Sequence, residues 1–262
     1  MILEEFDKSK TAIINPRDLE ERIADMPKTA VSCFSVELLE KLVKNFNGEK
    51  ISFTHNANGY FPIYKINFNG TDIALFTSCV TAPSAVAEYE EIFAQGVERI
   101  ITFGTCGVLD KSIRDLAIII PTSAIRDEGV SYHYKEASDE IIVNPKYIEE
   151  FISLLDEHNY SYTLGKTWTT DAIYRETREK LNKRKEQGCI CVEMEASALA
   201  ALAEFRGKEV FEFFYAADNL DGAEWDKRSL HCTKRFDEKE KIGVLAITFA
   251  ENLIKSDRVK HR

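Results

Sequence analysis

Two carboxylates and a methionine stand where a short apolar segment passes into an alanine-rich one. Glu193, Met194 and Glu195 lie at the centre of residues 189–203, CICVEMEASALAALA. The first part of this segment has the apolar pattern of a buried strand, and the second consists of strong helix formers. Ligands of α/β folds bind at the carboxyl ends of strands, so this junction is a candidate site. Acids at a helix start and a methionine in a core gap are the structural alternative.

Three further segments place polar residues or glycines where a predicted strand ends. They are residues 78–81 (SCVT), 104–107 (GTCG) and 218–219 (DN). We expect several of them to open on one edge of a sheet together with Glu193 and Glu195. The Gly104–Gly107 pair predicts a tight turn that exposes backbone N–H groups to an anion. It lacks the dinucleotide-binding fingerprint and the lysine of a P-loop.

The remaining pattern predicts alternating helices and strands. Asn69-Gly70 between two apolar runs predicts a hairpin, and Ser35 is a typical helix N-cap. We predict strands over 29–34, 63–68, 71–77, 100–103, 116–120, 162–167 and 210–216, and helices over 16–25, 36–45, 145–159 and 237–255, with another helix ending near 95. Pro121 should stop its strand, and 123–140 should form a loop over the site. The predicted fold is α/β, a three-layer α/β/α domain with a mixed central sheet and an N-terminal extension of about residues 1–28.

Composition and charge narrow the class of protein. The chain has 262 residues and a formal net charge of −10, which disfavours nucleic acid and anionic membranes as partners. The acidic start lacks a signal-peptide core, and no apolar run approaches the ~20 residues that span a bilayer. Six cysteines are scattered without a C-x-x-C pair or a histidine cluster, so no metal site is expected. The sequence therefore predicts a cytoplasmic protein with reduced cysteines.

Four segments together resemble the nucleoside phosphorylase superfamily. They are residues 103–107 (FGTCG), 169–175 (TTDAIYR), 192–196 (VEMEA) and 217–218 (AD), in that order, within a similarity running from about 29 to 253. The resemblance implies cleavage of the N-ribosidic bond of a nucleoside, with phosphate as co-substrate and no other cofactor. It also implies a homo-oligomer, either a dimer or a hexamer built as a trimer of dimers.

The resemblance also implies roles for individual residues. Glu195 would accept hydrogen bonds from the ribose hydroxyls and favour the cationic sugar of the transition state. Asp218 would protonate N7 of a leaving purine; an Asp that caps the turn after a strand is the structural alternative. Both are catalytic candidates. The implied substrate-binding residues are Thr105, Cys106, Gly107, His133, Ile173, Tyr174, Arg175, Glu193 and Met194.

Departures from the family pattern leave open whether phosphate or water is the nucleophile. Residues 32–35 (SCFS) replace a Gly-Asp-Pro-x-Arg-like loop, and Thr102 replaces an arginine. Arg126, Arg175 or Arg178 could supply the charge that phosphate requires. We expect phosphorolysis, with purine favoured over uridine because of Asp218. The alternatives are a nucleosidase that uses water and a member that binds a nucleoside without turnover.

Overall fold

One mixed sheet organises the chain, and its strands lie in the segments where apolar residues concentrate. The computed structural model describes residues 2–231 and 233–260. Within them the strands are β1 (Thr29–Cys33), β2 (Glu49–Asn56), β3 (Gly59–Phe68), β4 (Thr71–Thr77), β5 (Arg99–Val108), β6 (Ile118–Asp127), β7 (Glu140–Ile142), β8 (Tyr162–Thr170), β9 (Cys189–Glu193) and β10 (Glu209–Asn219).

The strand order brings the ends of distant segments together. The sheet runs β10-β6-β8-β9-β5-β1-β4-β3-β2, and β7 joins the edge of β6. β10 also pairs with β5 in parallel, so β5, β9, β8, β6 and β10 close into a ring. Within this ring, pairing brings Gly107 of β5 beside Val192 of β9 and Asp218 of β10. The last residues of these three strands therefore lie close together.

Helices cover both faces of the sheet and complete the three predicted layers. The helices are α1 (Pro16–Leu19), α2 (Val36–Asn45), α3 (Ala82–Gln95), α4 (Ser131–Tyr134), α5 (Ile148–Glu157), α6 (Arg178–Glu186), α7 (Ala196–Arg206) and α8 (Phe236–Lys260). On β1, Val31 packs with α2, α5 and α8, whereas its neighbour Ala30 packs with α3 and α7. This alternation follows from the two-residue period of a strand. The predicted α/β/α fold with a mixed central sheet is confirmed.

The predicted turn at residues 104–107 is wrong, because all four residues belong to β5. Gly104 pairs with Phe214, and Gly107 pairs with both Asp218 and Val192, so this backbone belongs to the ladder. The glycines are needed for close packing instead. A Cβ at Gly104 would lie 2.7 Å from the Phe34 ring.

Pro121 does not stop its strand either. β6 continues to Asp127, and its register against β8 shifts between Pro121 and Ser123. Such a bulge accommodates a proline within a sheet. The predicted loop over 123–140 is also wrong: this segment contains the end of β6, α4 and the first residue of β7.

Other boundaries are closer to the sequence prediction. α2 begins after Ser35, whose hydroxyl accepts a hydrogen bond from the backbone N–H of Leu38. The hairpin of β3 and β4 forms around Asn69-Gly70, both at positive φ. α1 is shorter than predicted and ends at Leu19, and β2 was not predicted.

None of the helices described is long and apolar enough to cross a membrane. Five cysteines are free thiols, and Cys232 lies outside the described residues.

Candidate active site

A cavity of about 600 Å³ lies where β5, β9 and β10 meet the loops that follow them. Residues from three of the four segments expected to converge line this cavity. Val80 is the lining residue from the fourth segment, residues 78–81. The described residues that line it are Phe34, Val80, Gly104, Thr105, Cys106, Gly107, Ile173, Tyr174, Glu176, Arg178, Leu181, Val192, Glu193, Met194, Glu195, Phe214, Asp218, Leu220, Trp225 and Leu230. The expectation of one shared edge is therefore met in the structure.

Glu195 lies at the N-terminus of α7 and is 7% exposed. Its Oε1 accepts a hydrogen bond of 2.6 Å from the backbone N–H of Thr81. Burial, followed by the negative charge of Glu193, raises the pKa of Glu195 to about 8. Thr81 itself has φ +77°, which is rare for a β-branched residue. This conformation aims the N–H donor at the carboxylate, so local backbone strain coincides with the site.

Glu193 is held entirely by its own chain. Its Oε1 accepts hydrogen bonds from the Thr167 and Thr169 hydroxyls at 3.2 and 2.6 Å. Its Oε2 accepts from the backbone N–H groups of Glu195 and Ala196, both at 2.7 Å. Burial nevertheless raises its pKa. The four donors fix the start of α7 and thereby the backbone that carries Glu195.

Asp218 is the last residue but one of β10, lines the same cavity and is 8% exposed. Its Oδ2 accepts a hydrogen bond of 2.7 Å from the indole N–H of Trp225. Burial raises the pKa of Asp218, and the indole hydrogen bond opposes that shift. A carboxyl in such surroundings can carry a proton at a higher pH than an exposed one.

Gly107 keeps space free beside Asp218. A Cβ at this position would lie 2.4 Å from Leu220 Cδ1 and 3.2 Å from Asp218 Oδ1. Thr105, Cys106 and Met194 line the same cavity. Burial raises the pKa of the Cys106 thiol well above its usual value, so it stays neutral in the site.

The loop after β8 supplies the outer wall. Ile173 and Tyr174 lie in a 3₁₀ turn, Ile173–Arg175, and line the cavity, with Tyr174 95% exposed. Arg175 belongs to the same turn and does not line the cavity. His133 is exposed on α4, away from the cavity lining.

Sequence reasoning missed several lining residues, chiefly on loops. They are Phe34, Glu176, Leu181, Phe214, Leu220, Trp225 and Leu230. Glu176 directly follows residues 169–175, one of the four segments that resemble the family, so its position in the chain could have indicated a place at the site. Trp225 lies seven residues beyond Asp218, and no local pattern connects the two.

Two of the three arginines that could bind phosphate, Arg126 and Arg178, already bond other groups of the protein. Arg178 lines the cavity, and its guanidinium donates to the backbone carbonyls of Leu220 and Gly222 at 2.9 and 2.8 Å. Arg126 is buried elsewhere and bonds the Ser131 hydroxyl at 2.8 Å. Among the described lining residues, Arg178 is the one cation, beside the carboxyls of Glu176, Glu193, Glu195 and Asp218.

Residues 28–255 match the phosphorylase superfamily. The chain is 26% identical over 209 residues to guanosine phosphorylase of Halorubrum lacusprofundi, covering 79% of this chain and 77% of that protein. It is 25% identical over 176 residues to a DeoD-type purine nucleoside phosphorylase of Shewanella denitrificans, covering 66% and 73%.

Solved structures agree on the fold. Uridine phosphorylase of Vibrio fischeri matches with a TM-score of 0.73 at 20% identity, covering 90% of this chain and 95% of that one. Purine nucleoside phosphorylase of Toxoplasma gondii, in complex with immucillin-H, matches with a TM-score of 0.73 at 16% identity, covering 87% and 91%.

The chain belongs to the phosphorylase superfamily. The sequence-based prediction of a nucleoside phosphorylase-like enzyme, a pentosyltransferase, is confirmed at that level.

Proposed function

We propose that this protein cleaves the N-glycosidic bond of a purine nucleoside, with phosphate as the attacking group. The observation that carries the proposal is Asp218, a buried carboxyl whose pKa is raised by burial and whose Oδ2 is held by Trp225. It shares one cavity with Glu195, so a carboxyl for the base and a carboxyl for the sugar face a single ligand. The purine and guanosine phosphorylases among its relatives support the same reading.

In the proposed reaction the bond between C1′ and N9 breaks, and its electron pair passes to the base. The proton of the Asp218 carboxyl moves to N7, which makes the purine a better leaving group. C1′ gains positive charge and forms its new bond to a phosphate oxygen, giving ribose 1-phosphate and the free base. The Glu195 carboxylate accepts a hydrogen bond from the 2′-hydroxyl and stabilises the positive charge on the sugar. Met194 packs against the apolar face of the sugar.

Two arginines bear on the choice between purine and uridine. A uridine-type site would need a free arginine on the loop near residue 175. Arg178 is bonded to backbone carbonyls, and Arg175 does not line the cavity. Both observations favour a base that is recognised by carboxyls over one recognised by a guanidinium.

Hydrolysis is the second candidate. It is favoured by the acidic lining, in which the one described cation is already bonded to the protein. Such a cavity attracts phosphate weakly unless another group neutralises it. Water would then attack C1′, and free ribose would replace ribose 1-phosphate.

Product analysis separates these functions. Inosine, guanosine, adenosine and uridine are each incubated with the protein, with and without phosphate. We expect ribose 1-phosphate, formed only with phosphate and faster from purine nucleosides. Free ribose at a rate indifferent to phosphate would establish the nucleosidase, and binding without turnover would leave a binding protein. Asp218→Asn should lower purine turnover about 100-fold and uridine turnover much less. An equal loss on both would contradict the acid role.

We also propose a homo-oligomer, a dimer or a trimer of dimers, in the cytoplasm. Apolar side chains at the cavity rim, including Tyr174 and the 53%-exposed Trp225, would gain burial in such an assembly. Light scattering of the purified protein measures its mass directly, and a monomer would contradict this proposal.

A further inference from the structure

Glu128 is a buried acid outside the cavity, and the proposed reaction gives it no role. It directly follows β6 and is 6% exposed. Its Oε2 accepts hydrogen bonds from the backbone N–H groups of Val130 and Ser131, at 2.6 and 2.9 Å. Its Oε1 accepts a hydrogen bond of 2.8 Å from the hydroxyl of Ser197, in the first turn of α7. One carboxyl therefore joins the start of α4 to the start of α7.

The first turn of α7 is held by side chains from other positions, and the Glu195 side chain takes no part in holding it. Glu195 occupies the N-cap position of α7, yet its side chain makes no capping hydrogen bond. Glu193 instead accepts from the N–H groups of Glu195 and Ala196. The N–H of Ser197 donates to the Thr169 hydroxyl at 3.1 Å. Because these N–H groups already have acceptors, the Glu195 carboxyl is not needed as a cap and remains available to a ligand.

The bond between Ser197 and Glu128 is the link from this first turn to β6 and α4. Ser197 is fully buried, so its hydroxyl could not turn to water if Glu128 were removed. The start of α4 is itself fixed, because Arg126 Nε donates to the Ser131 hydroxyl at 2.8 Å. A continuous set of buried contacts therefore runs from β6 through Glu128 to the backbone that carries Glu195.

We infer that Glu128 and Ser197 are positioning residues for Glu195, because their hydrogen bond fixes the first turn of α7 and so aims the Glu195 carboxyl at the sugar. Neither residue lines the cavity, so both act through the backbone of α7. This inference rests on the proposed function, in which Glu195 stabilises the cationic sugar. That positive charge is greatest in the transition state, so a misplaced Glu195 lowers kcat more than it raises KM.

Ser197→Ala tests the link, since it removes the hydroxyl and leaves the Glu128 cap on α4 in place. The kinetics are measured at pH 9, where Glu195 is ionised because its pKa is about 8. We expect kcat to fall about 10-fold and KM to rise no more than about 3-fold. The control is Ser153→Ala, which removes an exposed helix hydroxyl that bonds the Glu149 carbonyl on α5. It should keep the wild-type kcat.

Combining Ser197→Ala with Glu195→Gln separates positioning from a general loss of structure. If Ser197 acts through the Glu195 carboxylate, Ser197→Ala should lower kcat about 10-fold in wild type and less than about 2-fold in the Glu195→Gln background. An equal loss in both backgrounds would overturn the inference. So would a wild-type kcat in Ser197→Ala, and that result would leave the proposed function intact.

Two changes at Glu128 complete the kinetic test. In Glu128→Gln the amide oxygen can accept from the backbone of α4 and the NH₂ group can donate to Ser197, so kcat should stay near wild type. Glu128→Ala has no such group, and kcat should fall at least as far as in Ser197→Ala. Adding Ser197→Ala to Glu128→Ala should then cost little more, because the hydrogen bond is already gone. A full further loss of about 10-fold would contradict the link. If Glu128→Ala does not fold, the Ser197 variants decide alone.

Equilibrium binding distinguishes a failure of this inference from a failure of the proposed function. If the wild type turns over no nucleoside, the proposed function fails. Calorimetric dissociation constants for inosine then decide on Ser197. Ser197→Ala should weaken inosine binding about 3-fold in wild type and leave it unchanged in the Glu195→Gln background. Equal affinity in wild type and Ser197→Ala overturns the inference.

Discussion

The carboxyls near the end of β9 and those near the end of β10 differ in how many hydrogen bonds they accept from the protein. At the end of β9, Glu193 accepts four hydrogen bonds from protein donors, and Glu195 accepts one from Thr81. Near the end of β10, Asp218 accepts one from Trp225, and the side chain of Glu176, which also lines the cavity, accepts none from the described residues. A buried acid whose oxygens are satisfied by the chain holds structure, whereas one with remaining capacity is open to a ligand. The number of protein donors therefore separates the positioning residue Glu193 from Glu195 and Asp218, the two carboxyls that the proposed reaction assigns to the substrate.

Glu195→Gln should give the largest effect, a loss of about 10²- to 10³-fold in kcat at pH 9. Above its pKa of about 8 the Glu195 carboxyl is ionised, and a neutral amide in its place cannot stabilise the cationic sugar. The amide oxygen can keep the hydrogen bond from Thr81, so the fold should remain. Steady-state kinetics with the preferred nucleoside measures the loss. A wild-type rate would remove Glu195 from the mechanism.

The same variant should be more stable than wild type at neutral pH. Burial raises the pKa of Glu195 to about 8, from an ordinary value of 4.5. Between those values the folded state keeps a proton that the unfolded state releases, so stability falls as pH rises through this window. Glutamine removes that dependence, with a gain on the order of 1–3 kcal/mol near pH 7. Urea unfolding at pH 5 and pH 7 measures it, and the gain should be smaller at pH 5.

Glu193 should respond in the opposite sense. Glu193→Ala leaves the N–H groups of Glu195 and Ala196 without their acceptor, and we expect a loss of about 2–4 kcal/mol in the free energy of unfolding. Glu193→Gln can keep that acceptor and donate to the threonine hydroxyls, so it should retain most stability and activity. Parallel unfolding and kinetics of the two variants check this. A Gln variant as inactive as Glu195→Gln would place Glu193 in the chemistry.

Trp225→Phe should give the smallest effect. It removes the one indole donor to Asp218 and keeps an aromatic wall, so purine turnover should fall about 3- to 10-fold. The indole hydrogen bond favours the ionised form of Asp218, so its loss should raise the pKa of that carboxyl further. The pH profile of kcat/KM for guanosine should therefore shift upward for the limb that Asp218 controls. No shift would mean that the Trp225 contact does not matter in the working enzyme.

Local signals predicted the elements well where they were strong and failed where tertiary pairing overrode them. Ser35 and Asn69-Gly70 correctly indicated α2 and the β3–β4 hairpin, because a cap and a type I′ turn need only neighbouring residues. Gly104, Gly107 and Pro121 suggested breaks, yet β10, β9 and β8 pair across them. Glycine is required in β5 by Phe34 and Leu220, which are distant in the chain.

The three layers, the family and the acids near the ends of β9 and β10 could all be predicted from the amino-acid sequence. Apolar periodicity and short motifs encode these features locally. The folded chain is needed to see which acid accepts hydrogen bonds from the protein, that the Arg178 guanidinium is bonded to backbone carbonyls, and that Glu176 has no side-chain partner among the described residues. Those outcomes depend on donors that arrive from other strands and loops, such as Thr167, Thr81 and Trp225. Hydrogen bonds between distant segments exist only once the sheet has closed, so no local pattern contains them.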